Sequence, residues 1–139
     1  VEDGGTEPLA GDIADVIGGY LDVTAPARAA GARLKDLMQS AGIDISSALE
    51  TYQRRLQKMA ESGIDVGKLT FSAEFGRNLE YYTGFVFEIT VPSLGPQSPI
   101  AGGGRYDKLM RTVGSETDVP AMGAMIHTER ALGVVRNEA

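Results

Sequence analysis

The chain has 139 residues, enough for one ordinary domain with a real core, and its 42% hydrophobic and 23% charged residues place it among globular proteins. A formal charge of −6 weighs against an extended nucleic-acid surface, because phosphate binding rests on Lys and Arg. With no cysteine there is no disulfide or thiolate chemistry, and the sequence has neither an apolar run long enough to span a membrane nor a signal-peptide pattern in "VEDGGTEPLAGD". The expectation is a cytoplasmic protein that engages no nucleic acid and no membrane.

The first half reads as helices. Leu9, Ile13, Val16, Ile17 and Tyr20 recur at helical spacing. Pro26 can open a second helix with an apolar stripe of Ala27, Ala30, Leu34, Leu37, Met38 and Ala41, and Gly42 stands where a left-handed residue ends such a helix. A capping box, Ser47-Ala48-Leu49-Glu50, predicts the start of a third helix carrying Leu49, Tyr52, Leu56, Met59 and Ala60, which Gly63 ends. These stripes are packing surfaces.

After Gly67 the period changes from helical to alternating. Residues 69–75 read as a strand and 82–91 as a second, with Phe85, Phe87, Ile89 and Val91 on one face, and the two are expected to pair antiparallel. Pro92, Gly95, Pro96 and Pro99 break the run. Beyond them "RYDKLMRTV" reads as helix, 119–126 as a short buried strand and "TERALGVV" as a last helix. The fold class is α+β, a helical N-terminal half joined to an antiparallel sheet.

His127 is the single histidine, so a zinc site of the usual kind is excluded, and no metal is expected. The triplet Gly102, Gly103, Gly104 fails both nucleotide-loop patterns: Leu109 follows Lys108 where a P-loop needs Ser or Thr, and Asp107 occupies the third glycine position of a dinucleotide fingerprint. Bare glycine can instead present successive N–H groups to an anion such as a carboxylate. Arg105 and Asp107 could either reach a ligand or pin the turn. Tyr81 and Tyr82, entering a strand, would face opposite ways, and a pocket made of one of them, Tyr106 and glycine backbone suits a small polar aromatic ligand.

Three segments, "GRNLEYYTGFVFE" (76–88), "GGGRYDKL" (102–109) and "VPAMGAMIHTER" (119–130), closely resemble the histidyl-tRNA synthetase catalytic core. They match its two histidine-specific signatures and its third class II signature, in order, within residues 70–135. The resemblance implies a partial class II aminoacyl-tRNA synthetase-like sheet over 67–139, preceded by an insertion-like helical region over 1–66. It assigns Arg77, Tyr81, Tyr82, Gly102, Gly103, Gly104 and Tyr106 to histidine binding, with Arg77 near the ligand carboxylate. Glu129 and Arg130 become remnants of an ATP site, and Glu88 and Asp107 structural members.

The family has two branches, the synthetase and the synthetase-like regulatory subunit of ATP phosphoribosyltransferase. Four features favour the regulatory branch. His127 and Thr128 stand where the third signature has a glycine and its neighbour, Asn78 replaces a usual glycine, the chain ends shortly after Arg130, and the charge balance is acidic. Arg77 and Arg130 stand at synthetase positions and favour the other branch. The first and second class II signatures are absent from this sequence. The resemblance therefore implies a non-catalytic histidine sensor without cofactor, partnered by free histidine and the catalytic subunit of ATP phosphoribosyltransferase, as a homodimer within a hetero-oligomer. The alternatives are a synthetase fragment and a ligand-free scaffold.

Overall fold

The computed structural model describes residues 11–76 and 81–137, so Leu9 and Arg77 lie outside the described residues. The chain forms two compact units, Val1–Phe75 and Gly76–Ala139.

The first unit runs α1 (Gly11–Leu21), β1 (Thr24–Pro26), α2 (Ala27–Ser40), α3 (Ser46–Glu61), a 3-10 turn (Val66–Lys68) and β2 (Thr70–Ser72). Pro26 immediately precedes the first residue of α2, where the missing N–H costs nothing. Gly42 at φ 69° and Gly63 at φ 84° follow α2 and α3, in the left-handed conformation a side chain resists. The small core consists of Val23, Ala25, Ala27, Ala30, Leu34 and Val66. Around it, the Tyr52 hydroxyl on α3 donates to the Ala27 carbonyl at 2.7 Å, and its ring meets Phe71 edge-on at 5.7 Å. Burial pushes the Tyr52 phenol above its ordinary pKa.

Three local expectations are corrected in this unit. Residues 69–75 do not pair with 82–91: β2 pairs antiparallel with β1, Ala25 opposite Phe71, a three-residue strand too short to stand out in the sequence. The N-cap position of α3 is Ile45, which has no side-chain cap, and it is Asp44 just before it whose Oδ1 accepts from Ser46 N at 2.9 Å and from the Ser46 hydroxyl at 2.6 Å. With the helix beginning at Ser46, Ser47 is already inside it. Those two bonds hold the Asp44 carboxyl below its ordinary pKa. On α1, Ile13 and Ile17 are exposed, and the close approach to α2 is instead at Gly19, where a Cβ would lie 3.2 Å from Leu37.

The second unit contains β3 (Val86–Ile89), a 3-10 turn (Pro92–Leu94), β4 (Ala101–Arg105), the single-turn α4 (Leu109–Thr112), β5 (Met122–Ile126) and α5 (Thr128–Asn137). The sheet is antiparallel with order β3-β4-β5, which puts the glycine strand in the centre. Phe85 and Phe87 stack at 5.8 Å, as expected for residues on one face. The strand expected to be buried at 119–126 is exposed, with Met122 at 69% and Ile126 at 63% exposure, because among the described residues β5 is paired only to β4. The helix expected over 105–113 is reduced to α4, since Arg105 belongs to β4 and Asp107 is drawn into bonds with neighbouring segments. Helices in one unit and a three-stranded antiparallel sheet in the other make the chain α+β.

Candidate functional site

Gly102, Gly103 and Gly104 do not form the anion nest that bare glycine suggests. None has positive φ, and as the middle of β4 they pair with Glu88, Phe87 and Val86 on one side and with Met125, Ala124 and Gly123 on the other. Their backbone groups serve the ladders. What glycine provides is the absence of Cβ.

At Gly103 an added Cβ would collide with the Gly123 carbonyl and the Ala124 backbone of β5. At Gly104 it would lie 2.8 Å from the Tyr82 ring, and at Gly123 it would lie 2.5 Å from the Tyr106 hydroxyl. Gly104 and Gly123 are direct partners across the β4–β5 ladder, so they share a face of the sheet. Two facing glycines leave a gap in that face. Tyr82 lies on one and Tyr106 on the other.

Tyr81 joins them. Its ring centroid is 4.8 Å from that of Tyr82 and 5.5 Å from that of Tyr106, meeting the latter edge-on, while Tyr82 and Tyr106 are 6.3 Å apart. The expectation that Tyr81 and Tyr82 face opposite ways fails because both precede β3, where strand alternation does not apply. All three residues are half-buried, so part of this aromatic group faces solvent.

Arg105 and Asp107 bracket Tyr106 and pin its surroundings. The Arg105 Nε donates to Asp107 Oδ2 at 2.6 Å, and Asp107 Oδ1 accepts from Ala121 N at 2.9 Å. The Arg105 bond and then the Ala121 N–H hold the Asp107 carboxyl below its ordinary pKa. Asp107 N in turn donates to the Thr83 hydroxyl at 3.0 Å, and Thr83 N to the Arg105 carbonyl at 2.9 Å. Thr83, Ala121 and Gly123 had no role in the sequence reading. A hydroxyl directly after a tyrosine pair was the available signal for Thr83, whereas Gly123 needs the strand register.

Glu129 and Arg130 lie in the first turn of α5. Arg130 Nη1 donates to the Pro99 carbonyl at 2.8 Å, and His127 N to the Ile100 carbonyl at 2.8 Å, which ties the start of α5 to the entry of β4. Both Glu129 and Arg130 are exposed. Among the described residues there is no cluster of potential metal ligands.

A glycine-floored aromatic site on an antiparallel sheet, carried by the three signature segments, belongs to the class II synthetase-like proteins. Residues 6–131 match the histidyl-tRNA synthetase family, and the chain belongs to it. Within that family the chain is similar to proteins named ATP phosphoribosyltransferase regulatory subunit. It is 35% identical to the one from Rhizobium rhizogenes strain K84 over 80% of this chain and 29% of the relative. The Chelativorans sp. strain BNC1 protein is 36% identical over 86% of this chain and 31% of the relative. For that of Rhizobium leguminosarum bv. trifolii strain WSM2304 the identity is 39%, over 81% and 31%. The chain thus spans under a third of the length of these curated relatives.

Proposed function

We propose that the chain is the histidine-sensing part of a non-catalytic regulatory subunit of ATP phosphoribosyltransferase, acting in the first step of histidine biosynthesis. The carrying observation is the triangle of Tyr81, Tyr82 and Tyr106 over the facing pair Gly104 and Gly123, in a chain similar to proteins of that name. An imidazole is flat, polarisable and hydrogen-bonding at its edge, and suits a group of half-buried tyrosine rings. Gly102, Gly103 and Gly104 contribute closeness of approach, and Arg77 would pair with the ligand carboxylate.

In this reading the partners are free histidine and the catalytic subunit, the assembly contains a homodimer, and the location is cytoplasmic. No helix among the described residues is long and apolar enough to cross a membrane. Histidine bound here would shift the assembly between states through a difference in affinity for them.

Isothermal calorimetry of the full-length protein with histidine tests the reading. Tyr106→Ala is expected to raise the dissociation constant at least about tenfold, the consequence of losing one ring of a packed aromatic site. Unchanged affinity removes Tyr106 from the site. The second reading, a synthetase domain, is favoured by Arg130 standing at a synthetase position within a match to that family. It predicts histidine-dependent pyrophosphate exchange with ATP, which the regulatory reading expects to be absent.

A further inference from the structure

Tyr82 stands in the segment before β3 and Tyr106 directly after β4, and something must hold their rings in register over Gly104 and Gly123. Two hydrogen bonds cross between the segments beside the rings. Thr83, the residue after Tyr82, donates its N–H to the Arg105 carbonyl at 2.9 Å, and its hydroxyl accepts the Asp107 N–H at 3.0 Å. Arg105 and Asp107 are the two residues flanking Tyr106. One threonine therefore grips the backbone on both sides of that tyrosine.

The other side of Tyr106 is gripped in the same way. Its N–H donates to the Ala121 carbonyl at 2.9 Å, and the Asp107 carboxylate accepts the Ala121 N–H at 2.9 Å. Ala121 leads into β5 two positions before Gly123, the residue on which the Tyr106 ring rests. The Arg105 Nε, 2.6 Å from the second carboxylate oxygen, fixes the rotamer that makes this possible.

We infer that Thr83 and Asp107 are positioning residues of the tyrosine site, a clamp that sets the ring geometry without touching the ligand. The inference rests on the histidine-binding reading above for its functional consequence. Thr83 is exposed and contributes nothing to the hydrophobic core. Its bonds converge on residues adjoining Tyr106, where displacement of a binding group by a fraction of an ångström matters.

The test uses the full-length protein and two readouts: histidine affinity by calorimetry and near-ultraviolet circular dichroism without ligand, which reports the packing of tyrosine rings. Thr83→Val, isosteric but without the acceptor oxygen, is expected to weaken histidine binding about three- to tenfold and reduce the tyrosine dichroism, with the melting temperature held. Thr83→Ser, which keeps the oxygen, is expected to restore both. Asp107→Asn keeps an acceptor for Ala121 and loses the ion pair, so it should fall between wild type and Asp107→Ala. The clamp is overturned if Thr83→Val leaves dichroism and affinity at wild-type values, or if Thr83→Ser behaves like Thr83→Val. A wild-type protein that binds no histidine removes the functional reading alone. The ligand-free dichroism still decides the clamp.

Discussion

Between Val23 and Leu34 the first unit buries five apolar side chains, at and just before β1 and along the first part of α2. In the second unit, Ala101 is the one buried apolar side chain among the described residues, and the buried positions after it are Gly102, Gly103 and Gly104. The first unit is held by atoms that are present. The second is organised around atoms that are missing, with polar bonds from Thr83, Arg105 and Asp107 setting what lies over the gap. A unit of the first kind is damaged by taking volume away, and one of the second kind by adding it.

Substitutions that differ by a methyl or a few methyls can break this contrast. Leu34→Ala is expected to have the largest effect, destabilising the first unit by about 2–5 kcal/mol, the range for an emptied core position; denaturant unfolding followed by far-ultraviolet circular dichroism reads it. Gly103→Ala comes next, with overpacking against β5 costing about 1–3 kcal/mol and loss of the tyrosine dichroism as the site-specific sign. Equal tolerance of the two changes would erase the distinction between the units.

The same glycine-to-alanine change should have the opposite sign in the first unit. At Gly31, inside α2, an added Cβ would lie 3.9 Å from Leu49 and Tyr52, an ordinary contact. Gly31→Ala is therefore expected to stabilise by about 0.4–1 kcal/mol through helix propensity and a less flexible unfolded chain, seen as a raised denaturation midpoint. A destabilised Gly31→Ala protein would show that both units are limited by space.

The smallest expected effect is that of pH. Asp107 has a folded pKa below its unfolded value of about 3.9, because the Arg105 Nε and Ala121 N–H favour its charged form. The stability it contributes is fully present above the unfolded value and is lost as pH falls through the folded one. The tyrosine dichroism should thus stay constant from neutrality to about pH 4 and decline below it, and Asp107→Asn should flatten that acid decline. An equal decline in Asp107→Asn would assign it to other carboxylates.

The helices were legible because their signals are local. The stripes of α2 and α3 and the closing Gly42 and Gly63 lie within a few residues of what they determine. The role of Asp44 at the start of α3 was missed because Ser47 and Glu50 offer a competing box three residues later. Strand β1 was illegible, since Thr24–Pro26 is defined by partners at Thr70–Ser72 and carries almost no period of its own. The gathering of Tyr81, Tyr82 and Tyr106 was legible, through their resemblance to known signatures. Their arrangement was not, because whether Gly104 meets Gly123 or its neighbour depends on a register that one sequence does not state.

Glycine inside a strand forfeits about 0.5–1 kcal/mol per residue relative to alanine through backbone entropy, and β4 carries three in succession. The strand that is central by pairing is soft by composition. Amide protons of a middle strand ordinarily exchange at the slow, global rate, but those of Gly102 to Gly104 should be released by local openings of the sheet. The time for which the tyrosine seat stays assembled is then set by how often its own floor lifts, and an occupant of the site would lengthen that interval.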